Sequence, residues 1–331
     1  MKETILLLLS VFGCLSTAFA QMLPDSTVQV VGYWSVGDKL QYEYECLDYK
    51  INGNDTTLTK SSYEVIELEV VAHEEDKGYR FKATYLVEDY SDPVVRILSN
   101  ISAKYLGEPV YFFETDNLGA FSRALPVEGV DEIPEAMLQE VMDSLAKAKP
   151  ETVIAREPIL ALLRHIYAPE LMTQSIVTEF SPLFFFHGVK YKLDTDYSYE
   201  DETPALIGNQ KIKMDATFWA DSEDTDDYSA VLYLYKEANE EQLKPFITTF
   251  IVEMLKPMFP DENTEEAKTA MDEVFSQAKM EMKDTMWEEV HLSTGWPLNM
   301  GFTRTLNFKV GKDESGGIIQ RNTFKVILDN D

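Results

Sequence analysis

The chain has 331 residues, with 29 Lys and Arg against 58 Asp and Glu, which sets a formal net charge of −29 and a pI near 4.4. A surface this acidic repels phosphate backbones and anionic headgroups, so nucleic acid and polybasic attachment to membranes are excluded as partners. With 45% hydrophobic and 12% aromatic residues the chain has the composition of a folded protein. Beyond the N-terminus no apolar run approaches the roughly 18–20 residues of a membrane-spanning helix.

The first twenty residues read as an export signal. Lys2 precedes an apolar run from Ile5 through Phe12, and Ala18-Phe19-Ala20 has the small-x-small cleavage pattern before Gln21. The expectation is a signal peptide over 1–20 and a mature chain exported to the periplasm or outer surface of a Gram-negative bacterium, or secreted. A rival pattern, an acylation site at Cys14, is opposed by the bulk of Phe12 and by the apolar residues that follow it. Cleavage leaves Cys46 as the single cysteine, so packing rather than a disulfide must hold the fold.

Period-two alternation then predicts strands. Leu40, Tyr42, Tyr44 and Cys46 form one apolar face, Asn52-Gly53-Asn54-Asp55 marks a turn, and Ile66, Leu68, Val70 and Ala72 continue on a second strand. Tyr79, Phe81, Ala83, Tyr85 and Val87 make a third, with further strands expected over 96–105, 110–114 and 120–125. The period then changes. Apolar residues spaced by four predict helices over 132–149, 157–168 and 171–180, broken by Pro150 and Pro169. Pro182 to Gly188 follows as an apolar loop.

Strands return at 189–193, 212–218 and 229–236. Two helices are predicted next, near 245–256 with Pro245 in its first turn, and from an Asn263-x-x-Glu266 capping pattern onward. Strands over 286–293, 301–310 and 318–328 end the chain. The order predicts an α+β fold, a long antiparallel meander with amphipathic helices packed on its concave face. One domain over 21–331 is expected, with two subdomains meeting near residue 190 as the alternative.

That arrangement resembles the half-barrel of periplasmic lipoprotein carriers of the LolA/LolB type. Tyr111-Phe112-Phe113-Glu114-Thr115-Asp116-Asn117-Leu118-Gly119 and Leu292-Ser293-Thr294-Gly295-Trp296-Pro297 are similar to segments of secreted proteins of Gram-negative anaerobes, a group that brings no assigned activity. The carrier resemblance implies an apolar cleft and carries over no particular cargo residue.

Catalytic signatures are missing from the sequence. His73, His165, His187 and His291 are scattered without metal-ligand spacing, and no nucleophile elbow, P-loop or dinucleotide-binding pattern occurs. The acidic run Asp221 to Asp227 lacks the glycine and distal glutamate of a calcium loop and reads as a solvated turn, as does the run from Asp194 to Glu202. Cys46 shares a face with Tyr42 and Tyr44, which predicts a buried, inert thiol. No metal and no cofactor is expected.

The remaining signal is apolar. Phe180, Phe184, Phe185, Phe186, Phe246, Phe250 and Met254 are candidates to line a deformable cleft, with ordinary core packing as the competing reading. The functional expectation is a non-enzymatic carrier of an apolar small molecule, lipid or lipoprotein acyl chain. Its rivals are a module that binds another envelope protein and a carboxylate-dependent hydrolase.

Overall fold

The computed structural model describes residues 22–23, 26–107, 110–127, 133–148, 155–204, 211–226, 228–238, 241–243, 278–310 and 314–327. Strands dominate. In chain order they are β1 (Met22–Leu23), β2 (Thr27–Gln29), β3 (Lys39–Asn52), β4 (Asp55–Glu74), β5 (Gly78–Tyr90), β6 (Val110–Thr115) and β7 (Phe121–Ala124). The second series is β8 (Lys190–Lys192), β9 (Tyr197–Pro204), β10 (Lys211–Thr225), β11 (Ser229–Ala238), β12 (Ala278–His291), β13 (Pro297–Val310) and β14 (Glu314–Ile327). Between them lie α1 (Pro93–Leu106), α2 (Glu135–Ala148), α3 (Arg156–Ile166) and α4 (Pro169–Phe180), then a 3₁₀ turn at Pro182–Phe184.

Eleven strands form one antiparallel sheet in the order β7-β6-β5-β4-β3-β14-β13-β12-β11-β10-β9, and β1, β2 and β8 form a small second sheet. The large sheet is two meanders joined at a single seam. There the first long strand, β3, pairs with the last, β14, placing Tyr44 opposite Phe324 and Tyr42 opposite Val326. The halves of the chain on either side of residue 190 therefore share one sheet. It is open, with β7 and β9 as its edges among the described residues.

Local chemistry sets the turns. Asn52 pairs with Asp55 around Gly53, which adopts φ +61°, a conformation that a glycine enters without steric cost. At the β4–β5 turn Gly78 has φ +91°, and a side chain there would lie 2.1 Å from the Thr115 carbonyl oxygen of the neighbouring turn.

Residues 96–105, expected as a strand, are instead the body of α1. Asp92 caps this helix, accepting hydrogen bonds from the N–H groups of Val94 at 2.8 Å and Val95 at 3.4 Å, and Pro93 occupies its first turn. Gly107 ends it. Val94, Ile97, Leu98 and Ile101 recur at helical spacing, and the cap decides the outcome. Strand β9 carries the opposite lesson, because its run Glu200-Asp201-Glu202 hid an alternating edge strand within what read as a solvated turn.

The buried face of the sheet, called the inner face below, carries Tyr42, Ile66, Leu68, Val70, Phe81, Ala83 and Phe113. Trp34 sits over it as a hub, with ring centroids 5.0 Å from Tyr79 and Phe81, 5.3 Å from Trp296 and 5.8 Å from Phe184. Ile176 and Phe180 of α4 and the 3₁₀ turn join this core. Helices α1, α2 and α3 pack mainly on one another instead, around Ile101, Met137, Leu138, Val141, Leu145 and Leu163.

Candidate functional site

The register of the sheet brings six polar side chains into one row. Lys60, Asp48, Gln320, Arg304, Asp284 and Lys236 are successive cross-strand partners on β4, β3, β14, β13, β12 and β11, all on the inner face. Within this belt Arg304 donates two hydrogen bonds to Asp284, from Nε at 2.8 Å and Nη2 at 2.6 Å. Lys236 Nζ donates to Asp201 at 2.5 Å and lies 5.7 Å from the centre of the Phe185 ring. Burial works against charging Asp201, but Lys236 outweighs it and holds this carboxyl below the usual range.

The belt divides two apolar regions. On one side is the aromatic core around Trp34. On the other lies a smaller cluster rich in methionine, comprising Ile212, Met214, Ala238, Leu243, Met280 and Met282, with Leu306 packed against it. Ile318, on the same face beside Leu306, stays 42% exposed.

On the aromatic side the inner face also holds carboxyls. Glu64 of β4, Glu88 of β5 and Glu179 of α4 gather among Tyr44, Tyr85, Tyr90 and Tyr111. Burial first, and the Glu88 charge second, push Glu64 up to about 7. Burial and then the Glu64 charge push Glu179 up to about 8, although a hydrogen bond from Tyr85 works the other way. Tyr90 and Ser99 donate to Glu88 at 3.3 and 2.7 Å, while Glu179 Oε1 is enclosed without a partner among the described residues. Neutral carboxyls of this kind donate as well as accept hydrogen bonds. Further along the sheet Glu288 is wholly buried between Leu232 and Met300, both of its oxygens unpartnered among the described residues and its acidity strongly suppressed by that burial.

Of the residues singled out from the sequence, Phe180, Phe184 and Phe186 are fully buried. Phe180 stacks on Phe113 at 5.2 Å, Phe184 contacts Phe81 at 5.2 Å, and Phe186 meets Tyr191 at 5.9 Å. Phe185 points elsewhere and is 38% exposed. Phe246, Phe250 and Met254 lie outside the described residues with the helix predicted near 245–256 that carries them, as does the N-terminal segment 1–20. Cys46 lies on the face shared with Tyr42 and Tyr44 but is half-buried rather than enclosed, and burial pushes its thiol up to about 11. In the acidic run, Asp221, Asp224 and Asp226 accept local hydrogen bonds from Trp219, Tyr233 and the Tyr228 and Ser229 amides.

Glu64, Glu288 and Asp284 went unnoticed in the sequence, although a signal was present. Each stands in the apolar phase of an alternating strand, Glu64 in step with Ile66 and Leu68, Asp284 and Glu288 in step with Met282, Met286 and Val290. A charge in that phase must be buried, paired or neutralised.

No protein-family model and no curated protein matches the chain. Among solved structures it is similar to lipovitellin, in a study of lipid–protein interactions, at 9% identity and a TM-score of 0.43, covering 89% of this chain and 25% of that one. The chain thus spans about a quarter of the lipovitellin chain. It also overlaps a mutant porin of Rh. blastica at 6% identity and a TM-score of 0.20, covering 88% of this chain and all of that one. A monomeric dehydratase domain from a trans AT polyketide synthase split module gives 10% identity and a TM-score of 0.12, covering 89% and 84% of the two chains.

Proposed function

We propose that this is an exported, non-enzymatic carrier of an amphiphilic ligand, a lipid or a lipoprotein acyl chain, held on the inner face of a half-barrel sheet with amphipathic helices over its concavity. One observation carries the reading: on a single sheet face a methionine-rich apolar patch ends at a row of charged and ion-paired residues. The cluster is itself packed, with Ile318 as its exposed margin, and apolar packing bounded this way matches a molecule with an apolar tail and a polar head. Methionine, unbranched and polarizable, adapts to tails of different shape. Arg304, Lys236 and the exposed ring of Phe185 stand where a head would rest. Phe246, Phe250 and Met254 belong to the proposal through their apolar stripe in the sequence.

The test is native mass spectrometry of protein purified from its own envelope, followed by titration of the delipidated protein with a fluorescent fatty acid. Ile318→Glu places a charge on the exposed part of the patch and should weaken probe binding with little effect on folding. A protein that carries no lipid, and whose probe affinity ignores Ile318→Glu, would reject the carrier.

The neighbouring carboxyls of Glu64 and Glu179, held near 7 and 8, favour a second reading as a carboxylate-dependent hydrolase. Glycoside or ester turnover abolished by Glu179→Gln would support it over the carrier.

A further inference from the structure

At the end of the inner face beside the β4–β5 turn, beyond the Trp34 hub, three segments meet: residues 29–33, residues 73–79 and the β6–β7 turn at 117–118. They line a shallow, solvent-open depression of about 420 Å³, within the roughly 300–1,000 Å³ of small-ligand sites. Its walls carry Gln29, Tyr33, His73, Glu75 and Asn117, above a floor formed by Tyr79.

The walls are held in place. Gly32 N–H donates to the Leu118 carbonyl at 2.9 Å, Tyr33 N–H to the Thr294 carbonyl at 2.9 Å, and Tyr79 OH to the Gly32 carbonyl at 3.1 Å. Asn117 donates its side-chain amide to the Glu75 carbonyl. Gly295 presses against this segment so closely that a side chain on it would lie 2.1 Å from the Val31 oxygen. His73 stacks on Tyr79 at 4.3 Å and 11°. A site fixed in this way loses little entropy when it binds.

The lining carries one charged side chain, and it is acidic. None of its residues is Lys or Arg, and Glu75 supplies a carboxylate beside the amide oxygens of Gln29 and Asn117. Tyr33, 48% exposed, adds an open aromatic ring. Acceptors plus aromatic faces suit a planar or compact cation, and the net charge of −29 draws cations toward the surface as a whole.

We infer that this cleft binds an organic cation, a guanidinium or ammonium group carried either by a free small molecule or by a basic side chain of a partner protein. The site is independent of the amphiphile patch on the inner face.

Calorimetric titration of the full chain at low salt tests this with argininamide, putrescine, a short arginine-containing peptide and glucose. Argininamide or putrescine should bind saturably. Glu75→Gln should weaken that binding about tenfold or more, because a charge-assisted hydrogen bond is lost. Tyr33→Ala should weaken it about threefold. Glu45→Gln, an exposed acid on the far face of the sheet, should change it by less than about twofold while removing the same single negative charge. All three positions are exposed, so the variants should keep their fold. Much tighter binding of the peptide points to a partner's side chain, whereas parity with argininamide points to a free cation. The inference is overturned if neither cation saturates, if glucose binds in their place, or if Glu45→Gln and Glu75→Gln weaken binding equally.

Discussion

Arg304 holds Asp284 across the β12–β13 pair through two hydrogen bonds of 2.8 and 2.6 Å, and the Asp284 side chain is only 3% exposed. A two-point bond of this kind fixes the direction of both side chains as well as their charge. It anchors the polar belt in the middle of the sheet. Removing one partner strands the other charge away from water.

Arg304→Leu should therefore destabilise the fold by about 3–5 kcal/mol in urea unfolding. Arg304→Leu combined with Asp284→Leu should recover most of that loss, since a buried ion pair is often replaceable by apolar side chains. If the double variant is as unstable as the single one, the belt is supported by groups other than this pair.

The carboxyls of the inner face predict a dependence on pH. Glu64 and Glu179 are raised to about 7 and 8 in the fold from 4.5 in an unfolded chain, so the folded state holds more protons between those values. Stability from these groups is complete below about pH 4.5 and is lost as the pH rises toward 8. His187 acts with the opposite sign. Burial lowers it to about 4 from 6.5, so its neutral form favours folding increasingly as the pH rises through that range, and the gain is complete near 6.5. Between pH 6.5 and 8 the carboxyls act without it, and unfolding midpoints should fall. Glu64→Gln with Glu179→Gln should flatten that decline.

Much of the sheet could be read from the sequence because alternation in β3, β4 and β5 is a local property. Tyr42 and Ile66 declare their face within a few residues. The seam could not be read this way, since pairing Tyr44 with Phe324 depends on closure of nearly the whole chain. The belt was hidden for the same reason: Asp48, Gln320 and Arg304 become neighbours only once the register is set. Helix α1 differs from the strand expected there because the Asp92-Pro93 cap starts a helix whose apolar residues recur at helical spacing. The phenylalanines after α4 were legible as a group but not individually, because a turn rather than a regular period decides which ring points inward.

Glu288 offers a direct comparison of burial with function. Both of its oxygens lack partners among the described residues while Leu232 and Met300 flank it, so the side chain contributes desolvation cost without hydrogen bonds from them in return. Glu288→Met, similar in length and apolar, should raise stability by roughly 1–3 kcal/mol. A loss of stability instead would mean that the carboxyl is satisfied in solution by a bound molecule, and a loss of bound ligand in native mass spectra of the variant would identify which.

Phe184 and Phe185 are adjacent in sequence and opposite in circumstance, which makes them a test of the carrier reading. Phe184 is fully buried and touches Trp34, Phe81, Phe113 and His187, so Phe184→Ala should cost about 3–5 kcal/mol, as other large-to-small core changes do. Phe185 is 38% exposed and stands near Lys236 at the end of the belt. Phe185→Ala should cost less than about 1 kcal/mol, because few packed contacts are abandoned. If the belt receives the head of an amphiphile, this mild variant should still weaken binding of the fluorescent fatty acid severalfold. Unfolding curves and probe titrations on the same two proteins separate the outcomes. A Phe185→Ala protein with unchanged probe affinity removes this ring from the ligand site, and unchanged affinity in Ile318→Glu as well removes the inner face altogether.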